Sequence, residues 1–197
     1  MSPSRIAVFG GTFDPIHVGH LVAAVNVRHE LAIDTVLLVV ANAPWQKEGS
    51  RAITPAEDRL AMVEAAVGEV PGLEASRLEI DRGGPSYTAD TLEQVAAAYP
   101  GAELFTVVGA DVADVLHSWE RIERVAELST LVVVNRPGSV RKSALVGWRV
   151  REVEVPALEV SSTDLRARAA EGRPLDYLVP DAAARCMRAR GLYATGR

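Results

Sequence analysis

The chain has 197 residues, 48% hydrophobic and 24% charged, which suits one substantial core and is far from the composition of a disordered chain. A formal net charge of −5 speaks against a general nucleic-acid binder, which needs a basic surface to displace counterions, but leaves room for a local basic pocket. The single cysteine, Cys186, excludes an internal disulfide and a cysteine metal cluster.

Ile6-Ala7-Val8-Phe9 reads as a first strand and is too short an apolar run for a signal peptide. A helical pattern follows from about Val18 to Leu31, then a buried strand over Val36 to Val40. The longest apolar stretch, Thr35 to Ala43, is strand-sized and far below a membrane span, so the chain is expected to be cytoplasmic, with no membrane partner. Thr54-Pro55-Ala56-Glu57 has a capping-box arrangement with proline at the first helical position, predicting a helix to about Val67. Further strands are expected at Leu73 to Ile80, Glu103 to Val108, Leu131 to Asn135 and Arg149 to Val155. Helices are expected near Thr88 to Ala98, Asp111 to Leu128, Ser162 to Ala170 and Asp181 to Arg190. The stretch Pro137 to Ser143, rich in small and basic residues, is the best candidate for a mobile loop.

Continuous Val/Ile/Leu runs suit strands covered on both faces, and strands separated by helices imply right-handed βαβ units. The expected fold is therefore α/β, a Rossmann-like doubly wound and mostly parallel sheet. One domain spans 1–197, and its C-terminal part, about 156–197, carries the closing helices. In such a sheet ligands bind beyond the carboxyl ends of the strands near a switch in strand order, which points to the residues after Phe9, Val40 and Val108.

After the first strand stands Gly10-Gly11-Thr12-Phe13-Asp14-Pro15-Ile16-His17-Val18-Gly19-His20. Paired glycines let the backbone turn tightly and approach a ligand, and the helix that follows offers free amides and a positive dipole end to phosphate. His17 and His20, spaced i, i+3, face one side of that helical start, and half of the chain's four histidines sit here. A metal site of Asp14, His17 and His20 is the weaker reading, because no second cluster of ligand spacing supports it, and no protein-held metal is expected. Near the far end, Val160-Ser161-Ser162-Thr163-Asp164-Leu165-Arg166 sets three hydroxyl residues at a helix start, with Arg166 one turn on. Spacing alone reads this as an ordinary cap followed by a surface arginine.

The first segment resembles the signature of the HxGH nucleotidyltransferase superfamily, here His17-Val18-Gly19-His20. Its Gly-Gly-Thr-Phe-Asp-Pro-Ile-His form is similar to the bacterial nicotinate mononucleotide adenylyltransferases. The second segment resembles the superfamily's Ile-Ser-Ser-Thr-x-x-Arg, with Val160 at the first position. Pro85-Ser86-Tyr87-Thr88, Gly109-Ala110-Asp111 with Trp119, and Arg136-Pro137-Gly138 resemble further blocks of the same family, so the likeness covers nearly the whole chain.

The resemblance implies that ATP is held by Gly10, Gly11, Thr12, Phe13, His17, His20, Gly109, Asp111, Ser162, Thr163 and Arg166. It assigns the mononucleotide to Asp14, Tyr87, Thr88, Trp119 and Arg136. Asp111 after a buried strand suits ribose hydroxyls, amides near Tyr87 and Thr88 suit a carboxylate, and a tryptophan face suits a pyridine ring. Ala41-Asn42-Ala43-Pro44-Trp45-Gln46-Lys47 replaces the family's Pro-Pro-His-Lys/Arg loop. Pro44 and Lys47 match, so a triphosphate role carries over to Lys47, and Trp45 and Gln46 depart.

The implied reaction joins ATP, with its Mg²⁺, to nicotinate mononucleotide, giving nicotinate adenine dinucleotide and pyrophosphate. The acceptor phosphate is already ionised, so alignment and charge neutralisation by His17, His20, Lys47 and Arg166, as positive or donating groups, would be the whole of catalysis. Pantetheine-phosphate adenylyl transfer shares both outer motifs but lacks the Pro85 block and the Asp111–Trp119 pair. Nicotinamide mononucleotide is the nearer competitor, and a nucleotide-binding regulator without catalysis is the reading from outside enzymes. Assembly into a homo-oligomer is left open.

Overall fold

The computed structural model describes residues 3–44, 52–135 and 147–194. Lys47, Trp45, Gln46, Arg136 and the expected mobile loop at Pro137 to Ser143 lie outside them. In chain order the elements are β1 (Arg5–Gly11), α1 (Val18–Glu30), β2 (Thr35–Val40), α2 (Ala56–Val67), β3 (Leu73–Ser76), α3 (Leu78–Arg82) and α4 (Thr88–Ala98). There follow β4 (Glu103–Gly109), α5 (Ala110–Ala113), a 3₁₀ turn at Leu116–Ser118, α6 (Ile122–Leu128), β5 (Ser129–Asn135), β6 (Val150–Glu154), α7 (Ser162–Ala170) and α8 (Asp181–Ala189).

The strands form a six-stranded sheet in the order β3-β2-β1-β4-β5-β6, every pair parallel. Chain growth reverses between β1 and β4, which lie side by side with Ile6 opposite Leu104, and this is the switch point that the sequence led one to expect. The uninterrupted apolar runs are explained by burial on both faces. Val36, Leu38 and Val40 of β2 pack with Ala24 and Val27 of α1, Leu60 and Val63 of α2, Leu165 of α7 and Ala183 of α8. Leu37 and Val39 point the other way, to Leu92 and Val95 of α4 and Val125 of α6. Each such valine or leucine contributes about 1.5–3 kcal/mol by leaving water.

Three sequence expectations are corrected. The strand predicted over Leu73 to Ile80 stops at Ser76, and a short helix follows, because Arg77 pairs with Asp81 one turn on at 2.8 Å and Gly83, at φ +69°, ends the turn. The helix predicted from Asp111 to Leu128 is broken into α5, the 3₁₀ turn and α6. The Ser118 hydroxyl donates to the Val115 carbonyl at 2.8 Å, Trp119 is extended, and Arg121 adopts φ +53°. The capping box at Thr54 does not form: Pro55 is the N-cap, Glu57 turns outward to Arg77 at 3.1 Å, and the Thr54 carbonyl instead accepts from Arg59.

Candidate active site

At the carboxyl end of β1 the backbone leaves the sheet through two glycines with different duties. A Cβ on Gly10 would meet nothing within 4 Å, so that strand end lies open. One on Gly11 would fall 2.7 Å from the Phe13 ring, which folds back beneath it. Phe13, at φ +48° and 2% exposed, then braces the second histidine: its ring lies edge-on to His20 with centroids 5.0 Å apart. His17 caps α1, and the imidazoles of His17 and His20 stack at 3.7 Å, as the i, i+3 spacing implies. The Nδ1 of His20 accepts the His17 backbone N–H at 3.2 Å, so in the neutral ring the proton sits on Nε2. Gly19 permits this pairing, because a Cβ there would press on Val160 at 3.0 Å and on the His17 ring at 3.1 Å.

His17 is buried, and desolvation lowers its pKa to about 4. It is therefore a neutral polar group at physiological pH rather than a cation, and its Nδ1 has no hydrogen-bond partner among the described residues. A neutral His17 brings no positive charge to this end of the sheet.

The two sequence motifs, far apart in the chain, are joined by direct hydrogen bonds. The Arg166 guanidinium donates through Nη1 to the Asp14 carbonyl at 2.7 Å and through Nη2 to the Thr163 hydroxyl at 3.1 Å. The Ser162 hydroxyl donates to the Pro15 carbonyl at 2.9 Å, and Ser161 caps α7 by accepting the Asp164 amide at 3.1 Å. Asp14 itself is 1% exposed, and its carboxylate accepts the Tyr193 hydroxyl at 2.5 Å. Burial and that carboxylate push the phenol well above its ordinary range. Asp14, expected to meet the mononucleotide, thus also ties the motif to the chain's last described residues.

On the β4 side, Gly109 lets the Asp111 carboxylate fold back against the strand end, where a Cβ would stand 2.6 Å from it. Trp119 packs on the Val108–Leu116 cluster with part of its surface and lines the cleft with the rest. Opposite, Tyr87 caps α4 and Thr88 is its first helical residue. The loop before them is anchored to the end of β2. The Ser86 amide donates to the Ala43 carbonyl at 3.1 Å, and the Asn42 amide to the Ser86 hydroxyl at 2.9 Å.

All of these parts line one cleft of about 1250 Å³ over the carboxyl ends of β1 and β4, larger than the roughly 300–1,000 Å³ usual for one small ligand. Gly10, Gly11, Thr12, Phe13, Asp14, His17, His20, Tyr87, Thr88, Gly109, Asp111, Trp119, Ser162, Thr163 and Arg166 all face it. A shallower depression between α2 and β3 is edged by Glu64, Glu69 and Glu74, a lining that repels phosphate.

Three residues of this region escaped the sequence reading. Arg59 is 1% exposed and donates to the carbonyls of Thr54 at 2.8 Å, Thr12 at 2.8 Å and Asn42 at 3.2 Å, lacing together the loops that follow β1 and β2. The signal was there: an arginine standing in the apolar stripe that Met62, Val63 and Ala66 continue. Glu79, buried in the cleft wall, accepts the Thr91 hydroxyl at 2.6 Å. Burial raises its carboxyl, while the Ser86 and Thr91 hydroxyls and Arg82 oppose the rise. Tyr193 is the third, and only the folded topology brings it to Asp14.

The cytidylyltransferase-like family model matches residues 8–168. A probable nicotinate-nucleotide adenylyltransferase of Corynebacterium kroppenstedtii is 47% identical over 192 residues, covering 96% of this chain and 90% of that relative. One from Streptomyces coelicolor is 47% identical over 185 residues, covering 93% and 98%. Among solved structures, the Plasmodium falciparum nicotinic acid mononucleotide adenylyltransferase complexed with NaAD superposes with a TM-score of 0.79 at 17% identity, over 96% of this chain and 97% of the other.

Proposed function

The chain belongs to the cytidylyltransferase-like family, among its nicotinate-nucleotide adenylyltransferases, and from that premise we infer how its cleft transfers an adenylyl group from ATP to nicotinate mononucleotide. The observation that carries the residue roles is the joining of the two motifs: Arg166 and Ser162 dock on the Asp14 and Pro15 carbonyls, beside the stacked histidines at the switch point.

ATP enters as its Mg²⁺ complex, a hard cation that usually stays with the phosphates it bridges. Among the described residues no group of three or more His, Cys, Asp or Glu side chains could hold a metal ion. Gly10, Gly11, Thr12 and Phe13 form the floor beneath the nucleotide, and Gly109 and Asp111 face its ribose. Ser162, Thr163, Arg166 and Lys47 hold the triphosphate. His20, whose Nδ1 is engaged by the helix start, presents Nε2–H, and His17 lies stacked beside it as a neutral group. Asp14, Tyr87, Thr88, Trp119 and Arg136 take the mononucleotide, with its phosphate aimed at the α-phosphorus of ATP. Attack in line breaks the bond to the β-phosphate and releases pyrophosphate. No general base is required, because the nucleophilic phosphate is ionised at neutral pH, so positioning and preorganised donors supply the rate. No helix among the described residues is long and apolar enough to cross a membrane, and we place the reaction in the cytoplasm.

Mixing the protein with Mg²⁺ and ATP, and offering nicotinate mononucleotide, nicotinamide mononucleotide or pantetheine phosphate in turn, tests this directly. Mass spectrometry is expected to find nicotinate adenine dinucleotide and pyrophosphate with the first acceptor. Faster turnover of either other acceptor, or no pyrophosphate from any, would overturn it. Within that assay His20→Ala is expected to lower kcat about 100-fold or more, the scale of losing one preorganised donor. An unchanged kcat would remove His20 from the transition state.

A further inference from the structure

Glu79 sits where a carboxylate is least expected, in the wall of a cleft that receives anions. Its surroundings show what holds it there. Between α3, which carries Glu79, and α4, which carries Thr91, the chain makes two successive left-handed steps at Gly83 (φ +69°) and Gly84 (φ +68°). A Cβ at either glycine would meet nothing within 4 Å, so the glycines serve the backbone conformation rather than a close approach. Polar contacts hold the turn: the Asn42 side chain donates to the Gly84 carbonyl at 3.0 Å, and the Ser86 hydroxyl accepts the Asn42 amide at 2.9 Å. The nearby Ser86 hydroxyl opposes the rise that burial imposes on the Glu79 carboxyl, and the Thr91 hydroxyl donates to Glu79 Oε1 at 2.6 Å. Arg82 reaches Thr91 Oγ1 at 3.3 Å and the Gln94 side chain at 2.8 Å, fixing the outer side of the cluster.

Glu79 thereby closes a ring that runs through the glycines, Ser86, Tyr87 and Thr88 and back through Thr91. The two residues whose backbone amides are assigned to the acceptor's carboxylate lie within that ring. Thr91 has an alternative acceptor, the Tyr87 carbonyl one turn back at 3.3 Å. Without Glu79 its hydroxyl would turn to that carbonyl, a local bond that bends the first turn of a helix.

We propose that Glu79 is a positioning and specificity residue for the acceptor: by holding Thr91 against α3 it fixes the Tyr87–Thr88 amides in the geometry that accepts a pyridine-3-carboxylate and rejects the carboxamide. The physical basis is that converging N–H donors match two carboxylate oxygens, whereas the amide's NH₂ would face them donor to donor, and this discrimination survives only while the donors stay converged. The proposal rests on the assignment of the start of α4 to the acceptor's carboxylate.

Steady-state kinetics with both mononucleotides on Glu79→Ala, Glu79→Gln and Thr91→Val tests it. Glu79→Ala is expected to raise the KM for nicotinate mononucleotide about tenfold, to leave the KM for ATP within about twofold, and to shrink the preference for the acid over the amide about tenfold or more in kcat/KM. Glu79→Gln, which keeps a carbonyl acceptor, is expected to recover most of the loss. Thr91→Val removes the partner hydroxyl without changing shape and is expected to act in the same direction by about threefold, so the proposal remains testable if Glu79→Ala does not fold. Equal weakening of both substrates, or an unaltered acid-to-amide ratio in folded variants, overturns it. A parent protein without preference for the acid overturns the underlying assignment, a result visible before any variant is measured.

Discussion

Two imidazoles stacked at 3.7 Å cannot both be charged cheaply, and the structure resolves the conflict at His17, where burial holds the pKa at about 4. Folding therefore responds to acid in a defined way. In the unfolded chain His17 takes up a proton as the pH falls through about 6.5, whereas the folded ring does so only near 4. Within that window the unfolded state binds more protons, so stability is full above about pH 6.5 and is lost progressively toward pH 4, by an amount on the order of 3 kcal/mol. Glu79, with its raised carboxyl, acts in the opposite direction, so the informative quantity is the difference between parent and variant. Urea unfolding of His17→Gln across pH 4–6.5 is expected to show a flatter dependence than the parent, and equal slopes would mean that the ring is not held neutral by burial. The histidine pair itself was legible from its spacing. The charge on it was not, since desolvation depends on packing that only the folded chain creates.

At the scale of elements, most strands and helices could be read from apolar runs, because a sheet covered on both faces leaves no polar interruptions to mislead. The errors cluster where a side chain competes with the backbone. Ser118 and the left-handed Arg121 split the expected helix, and the split is useful, for it turns Trp119 toward the cleft. Arg121 then clasps α4 through Asp90 at 2.7 Å and Glu93 at 2.5 Å, linking the segment that bears Trp119 to the helix that begins at Thr88. Exposed ion pairs of this kind add little stability, but they fix the separation of two walls. Trp119→Ala is expected to raise the KM for the mononucleotide about fivefold, the worth of one aromatic stacking contact, with the KM for ATP nearly unchanged. A matching rise for both substrates would assign Trp119 to packing alone.

Across the whole molecule, the cleft depends on segments that no local pattern connects. Helix α8 packs against α2, Arg190 reaches Asp58 at 2.6 Å, and Tyr193 threads its hydroxyl to the buried Asp14. Composition and spacing singled out the β1 motif, whereas the α7 motif read as an ordinary cap until resemblance picked it out and suggested that the two cooperate. The bonds that unite them, and Arg59 beneath, follow from topology that a linear reading does not contain. Tyr193→Phe removes one hydroxyl from this closure and is expected to cost about 1–3 kcal/mol in denaturant unfolding, as for other buried donors to a charged group. A variant as stable as the parent would show the bond to be dispensable.

Arg166 and Tyr193 both end on Asp14, one at its carbonyl and the other at its carboxylate. One residue thus serves as a splice between the start of α7 and the tail of the chain, and an alteration at either partner shifts the support of the other. Substitutions at these two positions are expected to show epistasis, the cost of changing one depending on whether the other still holds its side of Asp14.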